Sequence, residues 1–389
     1  MLKAKHIIRI YRMNLIEIRR TLHQHPELGF EEQWTAGFLA RHLKAMGLEV
    51  TGHIAKTGIV AVLRGERSDL PAIGYRADMD ALPITELTDV SFASQNGCMH
   101  ACGHDSHMTV ALGVAEKLSL RPTRPQRNIA FVFQPNEEGA PGEMPSGAEL
   151  MVREGILEKF NIQSMIALHS DPTLDTGIMG ICRGTIWAAS GRFRVTIRGN
   201  AAHAAYPYKG RDALWAATET VNAMYAALAR MRPATPEVVS ICKLKAGNAF
   251  NVVADYAEFE GIIRAPSRST LDEIADLLTN VANGIAQSCG VESTFERFYG
   301  ANAVKNNDTL VDIAQQVWTK TGVARTIPMN MASEDFSHFA DRIPCFYAMM
   351  GIKPEGQEIP PSHSDHFWLD ENALEPAVNH MIALIDALM

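Results

Sequence analysis

The 389-residue chain carries 36 Lys and Arg against 44 Asp and Glu, a net charge of −8, with 47% hydrophobic, 21% charged and 7% aromatic residues. That balance excludes a disordered or fibrous chain and argues against nucleic-acid or anionic-membrane surfaces, while the length fits about two domains. No run approaches the roughly 20 apolar residues of a membrane-spanning helix, and six cysteines are too sparse for a disulfide framework.

The N-terminal stretch "MLKAKHIIRIYRMNLIEIRR" is basic but lacks an uninterrupted apolar core and a small-residue cleavage site. It reads as an amphipathic helix and not a secretion signal, so a cytoplasmic location is expected. A helical pattern over 31–46 precedes apolar β-rich runs at 58–65 and 71–78, a helix following His107, and strands at 128–135 and 164–170. Strands apolar throughout and separated by helices predict an α/β unit with a mostly parallel sheet.

From residue 189 the rhythm changes. A strand at 191–198, a helix at 212–230, strands at 238–245 and 255–264, a helix at 270–289 and a strand at 291–299 give β-α-β-β-α-β, the order of a ferredoxin-like layer. Within the second helix Leu271, Ile274, Leu278, Val281 and Ile285 mark a face packed on a sheet. Helices are expected again at 309–320 and 372–388. The predicted organisation is a small domain at 189–299 inserted into a discontinuous domain of 1–188 and 300–389.

The densest polar cluster is "CMHACGHDSHMT", residues 98–109. His100, Cys102 and His104 alternate around Gly103, and thiolate with imidazole suits zinc and other first-row divalent ions. Read alone, the segment fits either a metal site or a His-rich helix cap. Three further features follow predicted strands: Glu137-Glu138 in "FQPNEEG", His169 in "MIALHS", and Asp78 with Asp80 in "YRADMDALP". Adjacent glutamates can divide metal binding from proton transfer, and ligands collect at strand carboxyl ends in open α/β sheets. His363 and His366 in "PPSHSDHFWLDE" join such a site only if the fold returns residue 363 to residue 102.

Together these motifs resemble the M20 family of metallopeptidases, specifically its amidohydrolase branch. The resemblance also includes "LHQHPELGFEE" (22–32), "IRGNAAHAAYP", "GNAFNVVADYAEFEGIIR" and "MASEDFSHF", running nearly end to end. It implies metal ligands Cys102, His104, Glu138, His169 and His363 holding two divalent ions, whether zinc, manganese, nickel or cobalt. Glu137 matches the general base and later acid, and Asp80 the carboxylate that orients a ligand. His203 matches a histidine that polarises the scissile carbonyl, often in the partner subunit's site, while Asn251 and Arg264 match substrate-contacting positions. The implied activity is hydrolysis of an N-acyl amino acid or related small amide by metal-activated water. The implied assembly is a homodimer through the inserted domain, with neither nucleic acid nor membrane as partner.

Some positions depart from the family pattern. Pro207-Tyr208 stands where Pro-His is usual, Asp212-Ala213 where an acidic residue precedes proline, and Ser362 and Asp365 flank His363 in place of Leu and Pro. The nearest alternative is a dipeptidase or carboxypeptidase of the same family. A non-catalytic metal-binding relative conflicts with the retention of all five ligand positions and Glu137. The chain lacks G-x-S-x-G and G-x-x-x-x-G-K-[ST], against serine hydrolase and nucleotide-binding readings. Cys102 as a nucleophile competes with its ligation, which the surrounding histidines favour.

Overall fold

The computed structural model describes residues 13–139, 145–231 and 236–389. Most of the expected N-terminal helix therefore lies outside the described residues; the part within them is the helix Leu15–His23, capped by the Asn14 side chain. The chain divides into two compact units, Met1–Cys182 with Asn306–Ile327 and Phe339–Met389, and Arg183–Lys305 with Pro328–His338. The second unit extends past 189–299 at both ends and takes in 328–338 from later in the chain.

The first unit is an α/β structure built on an eight-stranded sheet. Its strand order is Glu49–Ile54, Gly58–Leu63, Ile129–Gln134, Ala72–Asp78, Ile162–Asp175, Cys345–Lys353, Met179–Ile181 and Ala324–Thr326. The four central strands, Ile129–Gln134 through Cys345–Lys353, run parallel, and antiparallel pairs flank them. Ala72–Asp78 and Ile129–Gln134 are buried at every residue, as expected for parallel strands covered on both faces. The helix His104–Ser119 packs on Ala72–Asp78 and against the helices Leu15–His23 and Leu374–Leu388. Leu112, Val114, Phe131, Ile166, Phe346 and Val378 belong to the resulting core.

The second unit has an antiparallel four-stranded sheet in the order Val238–Ala246, Tyr256–Ala265, Ala189–Arg198, Glu292–Tyr299. The helices Ala213–Leu228 and Arg268–Cys289 pack on it, completing the ferredoxin-like pattern. Tyr256–Ala265 alternates buried and less buried residues along its length, the period of a sheet with one covered face. On the helix Arg268–Cys289 the buried stripe runs through Leu271, Ile274, Leu278, Ala282 and Ala286; Val281 and Ile285 are only half-buried.

Among the described residues no helix is long and apolar enough to cross a membrane.

Candidate metal centre

All five expected ligand positions and Glu137 lie in the first unit. Asp78 ends Ala72–Asp78, with Asp80 two residues on; Glu137 and Glu138 follow Ile129–Gln134. His169 lies within Ile162–Asp175, not at its end, because pairing with Cys345–Lys353 prolongs that strand. Cys102 sits in the turn before His104–Ser119, and His104 is the first residue of that helix, three residues earlier than predicted.

Gly103 makes this early start possible. Its φ of 85° is left-handed, and a Cβ there would lie 2.4 Å from Ser170 Oγ. Only glycine combines that backbone with so close a neighbour. Ser106 N–H and His107 N–H then donate to Gly103 O, which turns Cys102 and His104 toward the same space.

Ligand-capable atoms of Cys102, His104 and His169 lie within 4.8 Å of one another, as do those of Cys102, Glu138 and His363, and those of His104, Glu137 and Glu138. Three triads thus overlap in one cluster. Cys102 Sγ is 3.5 Å from His169 Nε2, and His363 Nε2 is 3.2 Å from Glu138 Oε1. The loop that carries His363 is fixed by donation from His363 N–H to Ala101 O, at 2.8 Å.

Hydrogen bonds aim the imidazoles. His104 Nδ1–H donates to Asp80 O at 2.9 Å and His169 Nδ1–H to Ser170 O at 2.8 Å, so Nε2 of each ring faces the cluster. Asp80 Oδ2 accepts Glu138 N–H at 2.9 Å, which sets the glutamate turn. Behind the cluster, His107 Nε2 accepts from Ser170 N–H, and Nδ1–H donates to Asp78 at 2.6 Å. Arg76 donates to the other Asp78 oxygen at 2.7 Å and to Gln134 at 2.8 Å.

Electrostatics match this arrangement. Burial opposes ionisation of Asp78, but His104, His107 and Arg76 outweigh it and hold the carboxyl well below its usual range. For Glu138 burial is likewise overcome, chiefly by His363 and His104. Burial also opposes charge on His104, yet Asp78, Asp80 and Cys102 raise it well above the usual value. Hydrogen bonding to Cys102 and Glu138 pushes His363 up to about 10. Burial and the Glu138 charge raise the Cys102 thiol.

The residues fit a divalent cation on a structural ground independent of motif. His104 Nε2 is a buried polar atom without a hydrogen-bond partner and lies 3.9 Å from Glu138 Oε1. Such an atom costs about 1–3 kcal/mol, and a cation shared with Glu138 satisfies it. The donor set of thiolate, imidazole and carboxylate is one that zinc and its first-row neighbours accept.

Comparison with known proteins agrees with this geometry. The model of peptidase family M20/M25/M40 matches residues 74–387. The chain belongs to the M20 family. N-acetylcysteine deacetylase of Bacillus subtilis is 33% identical over 378 residues, covering 96% of each chain. N-acetyldiaminopimelate deacetylase of Lactococcus lactis subsp. cremoris is 35% identical, covering 96% of this chain and 98% of the relative. A solved dinuclear metal-binding peptidase of the M20 family from Bacillus subtilis superposes with a TM-score of 0.83 at 32% identity, covering 96% of this chain and 97% of that one.

His203, Asn251 and Arg264 belong to the second unit. His203 is exposed and pairs in register with Val252 in a two-stranded ladder, where Ala204 N–H donates to Asn251 O at 2.9 Å. The first two expected substrate groups are thus neighbours. Arg264, half-buried in Tyr256–Ala265, has its pKa lowered by burial. The departures beside His363 are local: Asp365 pairs with His366 at 2.7 Å on the surface. Sequence reasoning assigned no role to Arg76 or His107. A charge inside the apolar strand "AIGYRAD" was the available signal for Arg76, since buried arginines need partners.

Proposed function

We propose that this M20-family chain hydrolyses the amide bond of N-acyl amino acids, using two divalent ions held by Cys102, His104, Glu138, His169 and His363. The observation that carries this reading is the overlap of three ligand triads in one cluster, with the buried His104 Nε2 left without a hydrogen-bond partner. Relatives named for removing acetyl groups from cysteine and diaminopimelate support the substrate class. Zinc, manganese, nickel and cobalt all suit the donor set.

The protein's own groups divide the reaction. Glu137, within 4.0 Å of His104 Nε2, is assigned to take a proton from water and deliver it to the leaving amine. Bound in the cluster, a divalent cation supplies Lewis acidity, which brings the pKa of water from about 15.7 toward 7. Asp80 orients His104 through its carbonyl and Glu138 through its carboxylate. His203 is assigned to the acyl carbonyl oxygen, where such a donor contributes about 3–4 kcal/mol in comparable sites. Asn251 and Arg264 are assigned to the rest of the substrate.

The first unit serves as the catalytic domain, and the second, built around 189–299, as a lid and dimerisation domain. Its edge strand Val238–Ala246 is paired on one side only among the described residues; Leu244 on that strand, Tyr225, whose hydroxyl accepts Ile241 N–H there, and Trp215 on the helix Ala213–Leu228 are exposed. A second copy docking there gives a homodimer. A thiolate ligand and six cysteines that form no disulfide among the described residues suit a reducing cytoplasm.

Assays with N-acetyl and N-benzoyl amino acids and with dipeptides, with metal supplied, test the activity. Cleavage of the acyl amino acids is expected, and dipeptides as the better substrates would place the chain with the family's peptidases. Glu137→Gln should retain metal and lose turnover; near-normal turnover would remove Glu137 from the mechanism.

A further inference from the structure

The motif "LHQHPELGFEE" takes no part in the chemistry above, yet it touches the loops that carry it. Ala81 N–H, next to Asp80, donates to Glu27 O at 2.8 Å, and Leu28 bridges Ala81 in a parallel register. Glu32 is fully buried, and its Oε1 accepts Asn136 N–H at 2.9 Å. Thr57 Oγ1–H donates to the other oxygen, Oε2, at 2.5 Å, so the carboxylate is fixed from behind.

Asn136 is the residue before Glu137, and its φ is 49°. Asparagine is among the non-glycine residues that visit that region most readily, so it is the contacts around Asn136, more than strain, that select the conformation. Here three contacts do so. Glu32 takes its N–H, its carbonyl accepts Gly147 N–H at 3.1 Å, and its buried side chain lies so close to Gly29 that a Cβ on Gly29 would stand 2.0 Å from Oδ1. Glu138 N–H, on the other side of Glu137, is held by Asp80. Glu137 therefore sits between two anchored peptide groups.

We propose that Glu32 is a positioning residue for Glu137: by accepting the Asn136 N–H it enforces the left-handed turn that aims Glu137 and Glu138 at the metal cluster. The inference rests on the amide-hydrolase reading for its kinetic consequence but not for its effect on metal binding. A catalytic group displaced by about 1 Å costs on the order of 100-fold in rate.

The test compares Glu32→Ala, Glu32→Gln and Gly29→Ala with the wild-type chain in two measurements: kcat and KM on an N-acetyl amino acid, and Zn2+ affinity of the metal-stripped chain by calorimetry. Glu32→Ala should lose about 100-fold in kcat with KM within about threefold, and bind Zn2+ about 10-fold more weakly. Glu32→Gln, whose amide oxygen still accepts from Asn136, should regain about tenfold of that kcat. Gly29→Ala, which pushes Asn136 without removing the carboxylate, should lose kcat and Zn2+ affinity in the same direction. A Glu32→Ala chain with kcat and Zn2+ affinity near wild type, or a loss of activity confined to KM, overturns the proposal. Should Glu32→Ala fail to fold, Gly29→Ala decides: wild-type kcat and affinity there overturn it. A wild-type chain that hydrolyses no amide defeats the functional reading instead, and the Zn2+ titrations still decide the role of Glu32.

Discussion

His363 Nε2 lies 3.2 Å from Glu138 Oε1, although 225 residues separate the two in sequence (363 − 138). The contact closes the cluster on its more open side, since the His363 side chain is about half exposed and the Glu138 side chain nearly buried. His363→Ala should therefore affect metal far more than folding. Metal analysis after dialysis should find one ion fewer per chain, with the unfolding free energy changed by about 0.5 kcal/mol or less. Full retention of metal would remove His363 from the ligand set.

Asp80 does two things through different atoms, and a substitution can separate them. Its carbonyl accepts from His104 and survives any side-chain change, whereas its carboxylate accepts Glu138 N–H through Oδ2 and stands 3.3 Å from His104 Nδ1 through Oδ1. Asp80→Ala should keep the carbonyl bond that aims His104, remove the charge beside it and loosen Glu138. The expected loss of metal affinity is about 10–100-fold, the range for groups that orient ligands, read by competition with a chelating dye.

Arg76 and Asp78 form an ion pair with both side chains fully buried. Removing one partner of a buried pair costs about 3–5 kcal/mol where the other charge is left alone; Asp78 keeps His104 and His107, so the loss here should sit at about 3 kcal/mol, the lower end of that range. Arg76→Met should lower the urea midpoint accordingly. The cost should fall in acid, since protonating Asp78 removes the charge left behind.

Much of this was legible in the sequence because periodicity and chemistry agree. The all-apolar runs became the parallel strands, and the polar residues that follow them became the site. What was not legible depends on contacts distant in sequence. The strand Cys345–Lys353, "CFYAMMGIK", is buried at all but its last residue and carries no alternation to distinguish it from a buried helix segment. Its role is visible only from its pairing with Ile162–Asp175. His104 heads its helix because Ser170, 67 residues later (170 − 103), leaves no room for a side chain at Gly103. Glu32 ends the motif "LHQHPELGFEE", but nothing local points to Asn136.

The inserted domain offers a test of assembly. Trp215 is 52% and Leu244 45% exposed, the former on the helix and the latter on the edge strand of one unit. Large apolar side chains left in water on an edge strand paired on one side only among the described residues, and on a helix of the same unit, are the features of a docking surface. Trp215→Asp combined with Leu244→Lys should convert a dimer to a monomer in size-exclusion chromatography with light scattering. An unchanged mass would move the interface elsewhere.

Glu32 also makes a prediction about pH. Burial, and then the Asp80 charge, push its carboxyl from the ordinary 4.5 up to about 7, against the hydrogen bonds from Thr57 and Asn136 that favour the ionised form. A carboxyl with a raised folded pKa binds more protons in the folded chain than in the unfolded one between those two values. Stability from this group is therefore present below pH 4.5 and declines as pH rises toward 7, by roughly 3 kcal/mol for a shift of about 2.5 units. Glu32→Gln cannot ionise and lacks this decline. In urea unfolding of the metal-stripped chains, the stability of Glu32→Gln relative to wild type should rise between pH 5 and pH 7 and then level off. Parallel profiles for the two chains would show that Glu32 ionises near its ordinary value.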